Sequence, residues 1–248
     1  MDALLRDGDA TVDDLATRFG VSKMTIHRDL DELEGGGLLR KVRGGASIQS
    51  SAQFESDYRY RRTLAVEEKR RVAAAAAALI ESGQTVIVDD SSTASCLVPH
   101  LAERRPLTVI TNNMTLMSEL PTEAGIELIA LGGRYSSRFH GFFGITCEEA
   151  LRSMRADIAF LSTSAIHGAS AFHQDQEVVK TKRLMIEASD QRVLLTDHTK
   201  FGRSALHFMA ELATFDSVLT GRSPAAAHRT ELSDAGARLV VVDEPSQP

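Results

Sequence analysis

The sequence predicts an α/β protein: an N-terminal winged helix-turn-helix followed by a C-terminal, mostly parallel α/β domain. Three observations predict this. Residues Thr11 to Ala46 hold two short amphipathic segments around a glycine turn, with a basic alternating stretch behind them. From Val66 onward, short β-branched runs alternate with helical segments. Polar residues recur where those runs end, the place at which open α/β sheets bind ligands.

Taken in order, Met1 to Arg6 reads as a very short helix before Asp7, Gly8 and Asp9. In the next helix Leu15 and Phe19 fall on one face with Val12 beside them, and Gly20 supplies the stop. Ser22 caps a second helix that turns Ile26, Leu30 and Leu33 inward at spacings of four and three. With that face inward, the step of about 100° per residue turns Met24, Thr25, His27 and Arg28 outward, with Lys23 at the N-terminal edge. These groups suit base edges and phosphates in a major groove. The C-terminal half carries Asp29, Asp31, Glu32 and Glu34, which repel phosphate, so only the first two turns are expected to face DNA. After a break at Gly35, Gly36 and Gly37, Leu39 and Val42 alternate with Arg40, Lys41 and Arg43, which reads as a β-hairpin wing against phosphate. The expected DNA contacts are Ser22, Lys23, Thr25, His27, Arg28, Arg40, Lys41 and Arg43.

The run FGVSKMTIHRDLDELEGGGLLRKVRGGA, 28 residues long, resembles the DNA-binding signature of the DeoR family of bacterial transcription regulators. That consensus is close to FGVS-x-MTIRRDL-x-x-L-x-x-x-G-x-L-x-R-x-HGGA. His27 stands where the family usually has Arg, and Arg43 where His is common. A neutral imidazole cannot make the bidentate guanine contact of Arg, so His27 is expected to alter base preference. Members usually begin with a longer basic helix, so Met1 is expected to fall inside the first helix of a longer product.

From Ser47 to Leu64 polarity is mixed and no period is clean. This reads as a linker with a short extended piece, then Arg59, Arg61 and Arg62 on a solvated face leading into a helix. Expected boundaries are therefore 1–47 for the DNA-binding domain, 48–65 for the linker and 66–248 for the α/β effector and oligomerisation domain. The helix Val66 to Ser82 holds the run Ala73 to Ala78, whose lack of bulk lets it lie close to a sheet, and Gly83 ends it. Strands follow at Val86 to Val88 and Val109 to Thr111, then within IELIALGGRYSS, ADIAFLSTSAI, RVLLTDHTKFG, FDSVLTG and ARLVVVD. Helices are expected around Cys147 to Met154, Val178 to Ala188 and Ser204 to Leu212.

Polar groups cluster at the strand ends: Asp89 to Thr93, Thr111 to Asn113, Gly132 to Arg134 and Asp197 to Lys200. Ser91, Ser92 and Thr93 bring hydroxyls and amides to the start of a helix near Ala94, where the macrodipole favours an anion. This half, from about Lys69 to Gly221, is also similar to the DeoR effector domain. VDDSSTA, ITNN, LGG and TDHTKFG stand where the family has LDSGTTT, VTNS, LGG and ADSSKFG. The resemblance implies a fold like ribose-5-phosphate isomerase and a phosphorylated sugar or related anion as effector. It also implies effector contacts at Asp89, Ser91, Ser92, Thr93, Asn112, Gly132, Gly133, Glu177, Lys182 and Lys200. Ser91 replaces the usual Gly, and AIHGASAFHQDQE lacks the usual Asp after Ile, placing His167, Phe172 and His173 nearby instead.

Composition narrows the classes. The net charge of -6 is wrong for uniform nucleic-acid affinity, so DNA binding must rest on a local basic patch, which Lys23, Arg28 and the wing supply. Cys96 and Cys147 are far apart without a CxxC, so neither a disulfide framework nor a zinc site is suggested, and a reducing cytoplasm is the simple reading. No run approaches the length of a membrane helix and no signal-peptide core is present. The histidines lack HxH or HExxH spacing and GxGxxG is absent, so neither metal nor cofactor is expected. The sequence therefore reads as a cytoplasmic, DNA-binding regulator of a carbohydrate-related operon, a repressor as most of the family are. Two recognition helices placed a DNA turn apart require at least a homodimer. The alternative is a sugar-phosphate isomerase or deaminase with an accessory DNA-binding segment, in which Asp89, Glu177 and Lys200 would be acid/base groups.

Overall fold

The computed structural model describes residues 4, 8–35, 39–47 and 57–242. The expected first helix apart from Leu4, the glycines Gly36 and Gly37, and residues 48–56 of the expected linker lie outside the described residues. The chain divides into two compact units, Met1–Leu64 and Ala65–Pro248.

In the first unit, β1 (Asp9–Thr11) leads into α1 (Val12–Phe19) and α2 (Lys23–Gly35), followed by β2 (Arg40–Val42) and β3 (Gly45–Ser47). Thr11 caps α1 by accepting from the Asp14 amide, and Gly20 ends it in the left-handed region at φ 65°. The three strands form an antiparallel sheet in the order β1-β3-β2. Gly45 is obligatory there, because a Cβ would stand 2.2 Å from the Ala10 carbonyl oxygen. The wing is thus three-stranded. The short DAT segment at its edge carries no alternation that would announce a strand. Val12, Leu15, Ile26, Leu30, Leu39 and Ala46 form the core, with Leu33 half-buried against it. Phe19 does not join them and is 55% exposed. It shares the face of Leu15 but sits on the last turn, beyond the seam that α1 makes with α2. The stretch read as linker contains a helix, α3 (Tyr58–Thr63), capped by Asp57. Arg61 is buried in it rather than solvated, with its guanidinium over the Tyr58 ring.

The second unit opens with α4 (Val66–Ala77) and β4 (Thr85–Val88), then α5 (Val98–Leu101), β5 (Leu107–Thr111), α6 (Met114–Glu119), β6 (Ile126–Ala130), β7 (Arg134–Ser136) and β8 (Gly141–Phe143). It continues with α7 (Ile145–Arg152), β9 (Ala156–Ser162), β10 (Ala165–His167), β11 (Ser170–His173), α8 (Gln176–Glu187), β12 (Ser189–Thr196), β13 (His207–Glu211), β14 (Ser217–Thr220), α9 (Ala226–Asp234) and β15 (Leu239–Val241). Seven strands, at the seven expected places, form one parallel sheet ordered β15-β14-β12-β9-β4-β5-β6. Alternation within each strand loads both faces. Val86, Val88, Ile158, Phe160, Val193 and Leu195 pack with α4, while Ile87, Ala159, Leu161 and Leu194 point the other way into a core shared with α7 and α8. Because β5 and β6 lie to one side of β4 and the later strands to the other, the order reverses between β4 and β9. That reversal opens a crevice at their C-terminal ends.

Two expectations for the second unit's elements fail. α4 ends at Ala77, well before Gly83. The helix expected at Ser204 to Leu212 is instead β13, paired antiparallel with β11 and opposing Phe208 to Phe172. Apolar spacing at Leu206, Met209 and Leu212 fits a short helix or a bulged strand alike, and the presence of a partner strand decides it. Gly133 shows how closely the small β7–β8 hairpin is tied down: at φ 124° a Cβ there would meet the Phe143 carbonyl oxygen at 2.5 Å. Gly133→Ala is therefore expected to destabilise the second unit by about 1–3 kcal/mol, measured by denaturant unfolding.

Candidate functional site

The first unit presents one face of α2. Ser22 Oγ accepts from the Thr25 amide at 3.1 Å and lies 2.9 Å from Thr25 Oγ1, fixing the first turn. Thr25 is half-buried, while Lys23, Met24, His27 and Arg28 are exposed, Met24 by 81%. The carboxylates of the C-terminal half are not idle. Lys41 of the wing reaches Asp31 at 2.6 Å, and its backbone amide donates to Glu34 at 2.7 Å. The acidic half of the helix thus anchors the wing. Lys41 is spent on that anchor, leaving Arg40 and Arg43 as the exposed wing cations. Lys23 similarly pairs with Asp13 of α1 at 2.7 Å.

In the second unit, Asp89 and Asp90 directly follow β4, both fully buried. Asp89 Oδ1 accepts from the Ser91 amide at 2.9 Å and Oδ2 from the Ser162 amide, at the end of β9, at 2.7 Å. The buried Lys182 of α8 donates to Asp89 and lies 3.2 Å from Asp90. Burial pushes the Lys182 ammonium down, but the two carboxylates and their hydrogen bonds more than offset it and hold the group above the ordinary lysine value. That contribution to stability is present below the ordinary lysine value and is lost as pH rises through the shifted one.

Beside this triad lies a second polar group. Lys69 of α4 is buried and donates to Ser92 Oγ at 3.2 Å. Lys69 and the buried Lys200 both act on Asp197, at the end of β12. Burial pushes the Asp197 carboxyl up, yet Lys200, Lys69 and the Thr199 hydrogen bonds outweigh it and hold it below the usual carboxylate range. Asp197 Oδ2 is buried and finds no hydrogen-bond partner among the described residues. Ser91 Oγ accepts from the Ala94 amide at 3.0 Å, and Thr93 is buried beside it in the chain.

The structure thus gathers Asp89, Ser91, Ser92, Thr93, Lys182 and Lys200 around the ends of β4, β9 and β12. Asn112 is fully buried and donates to the Phe142 carbonyl, so its amide holds the β7–β8 hairpin. Gly132 is exposed and Gly133 abuts Phe143. Glu177, expected among the effector contacts, is half-exposed on α8 and paired with Arg134, where water screens it. Lys69 and Asp197 were missing from the expected contacts. The spacing of Lys69 from Val72, Ala73 and Ala76 sets it on the apolar face of its helix, a signal the sequence carries. Cys147 is no nucleophile: burial, then Asp90 and Glu148, push its thiol up to about 12. Among the described residues no cluster of His, Cys, Asp or Glu could hold a metal.

Removing Lys182 leaves two buried carboxylates uncompensated, so Lys182→Met is expected to cost about 3–5 kcal/mol, part of it recovered by adding Asp89→Asn, both read by denaturant unfolding. Asp197 contributes stability that is present above the ordinary aspartate value and lost as pH falls through its lowered one. The unfolding of Asp197→Asn should accordingly respond less to acid than that of the parent.

Residues 1–52 match the DeoR-like helix-turn-helix domain, and residues 64–222 match the DeoR C terminal sensor domain. The chain is 31% identical to the glycerol-3-phosphate regulon repressor of Escherichia coli over 230 residues, 92% of this chain and 91% of that one. It is 32% identical to the HTH-type transcriptional repressor GlcR of Bacillus subtilis over 246 residues, 98% and 94% of the two chains. It is also 31% identical to the L-fucose operon activator of Haemophilus influenzae over 219 residues, 88% of each. Ribose 5-phosphate isomerase of Methanocaldococcus jannaschii overlays 54% of this chain and 53% of its own, with 18% identity and a TM-score of 0.38. The relatives are transcription regulators rather than enzymes, and no helix among the described residues is long and apolar enough to cross a membrane. With both of its parts accounted for in this way, the chain belongs to the DeoR family of transcription regulators.

Proposed function

We propose that this protein represses a carbohydrate-related operon from the cytoplasm, as a homo-oligomer released from its operator by a phosphorylated sugar or similar anion. The observation that carries the reading is the pairing, in one chain, of an exposed cationic helix face with a buried crevice rich in lysine, serine and aspartate. Met24, His27 and Arg28 enter the major groove while Arg40 and Arg43 lie on phosphate. Ser22, Lys23, Thr25 and Lys41 set the helix and wing in place through the contacts they make. Lys200 and Ser92 take the effector's phosphate, with Ser91 and Thr93 shaping that turn. Asp89 and Lys182 hold the crevice floor, and Asn112, Gly132 and Gly133 hold the hairpin beside it. The effector releases DNA only in proportion to its differential affinity for the two states. Activation is the second reading, and the similarity to the L-fucose operon activator favours it. In vitro transcription from the promoter nearest the operator separates the two by sign.

Arg28→Ala should reduce operator preference over scrambled duplex by about 1–3 kcal/mol with melting unchanged; loss of fold would make Arg28 structural. Arg43→Ala should weaken all duplexes alike and lower the salt slope by about one. A thermal-shift screen with ribose 5-phosphate and hexosamine phosphates tests the effector class. Lys200→Ala should abolish the shift while DNA binding persists, and an unchanged response would remove Lys200 from the site.

A further inference from the structure

The first two turns of α4 are tied to the crevice by four separate contacts. Lys69 donates to Ser92, at the end of β4. Glu68, 2% exposed, accepts from the His198 amide at 2.9 Å and from the His198 ring at 2.5 Å, in the turn that carries Lys200. Arg222 lies 4.0 Å from the same carboxylate, and Arg71 donates to the Gly221 carbonyl at 3.3 Å, just past β14. Gly221 admits Glu68 this closely because it lacks a side chain; a Cβ there would stand 2.3 Å from Glu68 Cγ. The turns after β4, β12 and β14 therefore all hold the start of one helix.

The chain entering that helix is unusual. Ala65, the residue preceding α4, lies in the left-handed region at φ 49° and makes no side-chain cap. An L side chain takes that conformation only at a cost, and such residues gather at switch points. Ala65 is also where the second unit begins, directly after the unit that carries the helix-turn-helix.

We propose that Lys69 is a ligand to the effector's phosphate alongside Lys200, and that Glu68, through His198, fixes the first turn of α4 so that occupancy of the crevice is transmitted to the backbone at Ala65. The proposal rests on the effector reading above. Lys69 and Lys200 both act on the Asp197 carboxylate, whose buried Oδ2 has no hydrogen-bond partner among the described residues and offers an acceptor for a hydroxyl of a phosphorylated polyol. An anion held by both ammonium groups ties the helix carrying one of them to the turn carrying the other. Glu68 and His198 join that same helix and turn, so the added restraint passes to the helix start. Lys69 is then a binding residue and Glu68 a positioning residue.

The test uses the full chain with inorganic phosphate, against chloride at matched ionic strength, read by melting temperature and by hydrogen exchange of the segment 57–70. In the parent, phosphate should raise the melting temperature and slow exchange in that segment. Lys69→Ala should lose most of the melting shift. Glu68→Gln and His198→Ala should keep the shift but lose the slowed exchange, a separation that a merely structural role would not give. An undiminished shift in Lys69→Ala overturns the proposal, as does slowed exchange surviving in both latch variants. No shift in the parent itself would instead overturn the anion-site reading on which the proposal stands.

Discussion

Two adjacent carboxylates and one ammonium, all without access to water, meet where the order of the parallel sheet reverses. Asp89 and Asp90 belong to the end of β4 and Lys182 to α8, so the attraction joins segments 93 residues apart. Stranding any one of the three charges in a low-dielectric interior would cost several kcal/mol. The strand end, the helix and the neighbouring β9 must therefore close together or not at all. Asp89 adds to this by accepting from backbone amides on two sides, which fixes the first turn after β4. Ser91 and Ser92 owe their places to that turn.

The remaining polar groups of the crevice are laid out from this fixed point. Ser92, after β4, meets Lys69 from the helix at the back, and Asp197, after β12, collects the influence of two lysines from the far side of β9. A crevice with two ammonium groups beside an aspartate can hold an anion and a hydroxyl together. The first unit obeys a similar economy of charge at its surface. Acidic residues on the far half of α2, which would repel DNA, are turned to the wing and hold Lys41. On α2 and the wing, the exposed cations among the described residues are Lys23 and Arg28 on the near half of the helix and Arg40 and Arg43 of the wing.

Much of this was legible in the residues alone. Seven β-branched runs spaced by helical segments specified a parallel sheet, because strands covered on both faces read as apolar throughout. The helix-turn-helix was legible because a capping serine, a glycine stop and inward residues at spacings of three and four leave little choice of fold. The face of α2 followed from the same geometry. What failed was local pattern without a local cause. Phe19 has the right phase to be buried but no partner beyond the seam. Leu206 to Leu212 fits two periods, and only the pairing of β13 with β11 makes it a strand. Arg61 reads as solvated, yet it is buried with its guanidinium over the Tyr58 ring.

The sequence by itself determined which elements form, in what order, and which chain positions carry charge, because periodicity and capping act over a few residues. The tertiary structure alone decided which of those charges meet. Glu177, named for the crevice, pairs with Arg134 at the surface, while Lys69, hidden in an arginine-rich stretch, reaches the crevice from a helix 23 residues before Ser92. A side chain's partner depends on strand order and helix placement, and those are set by long-range packing that no short window of sequence contains.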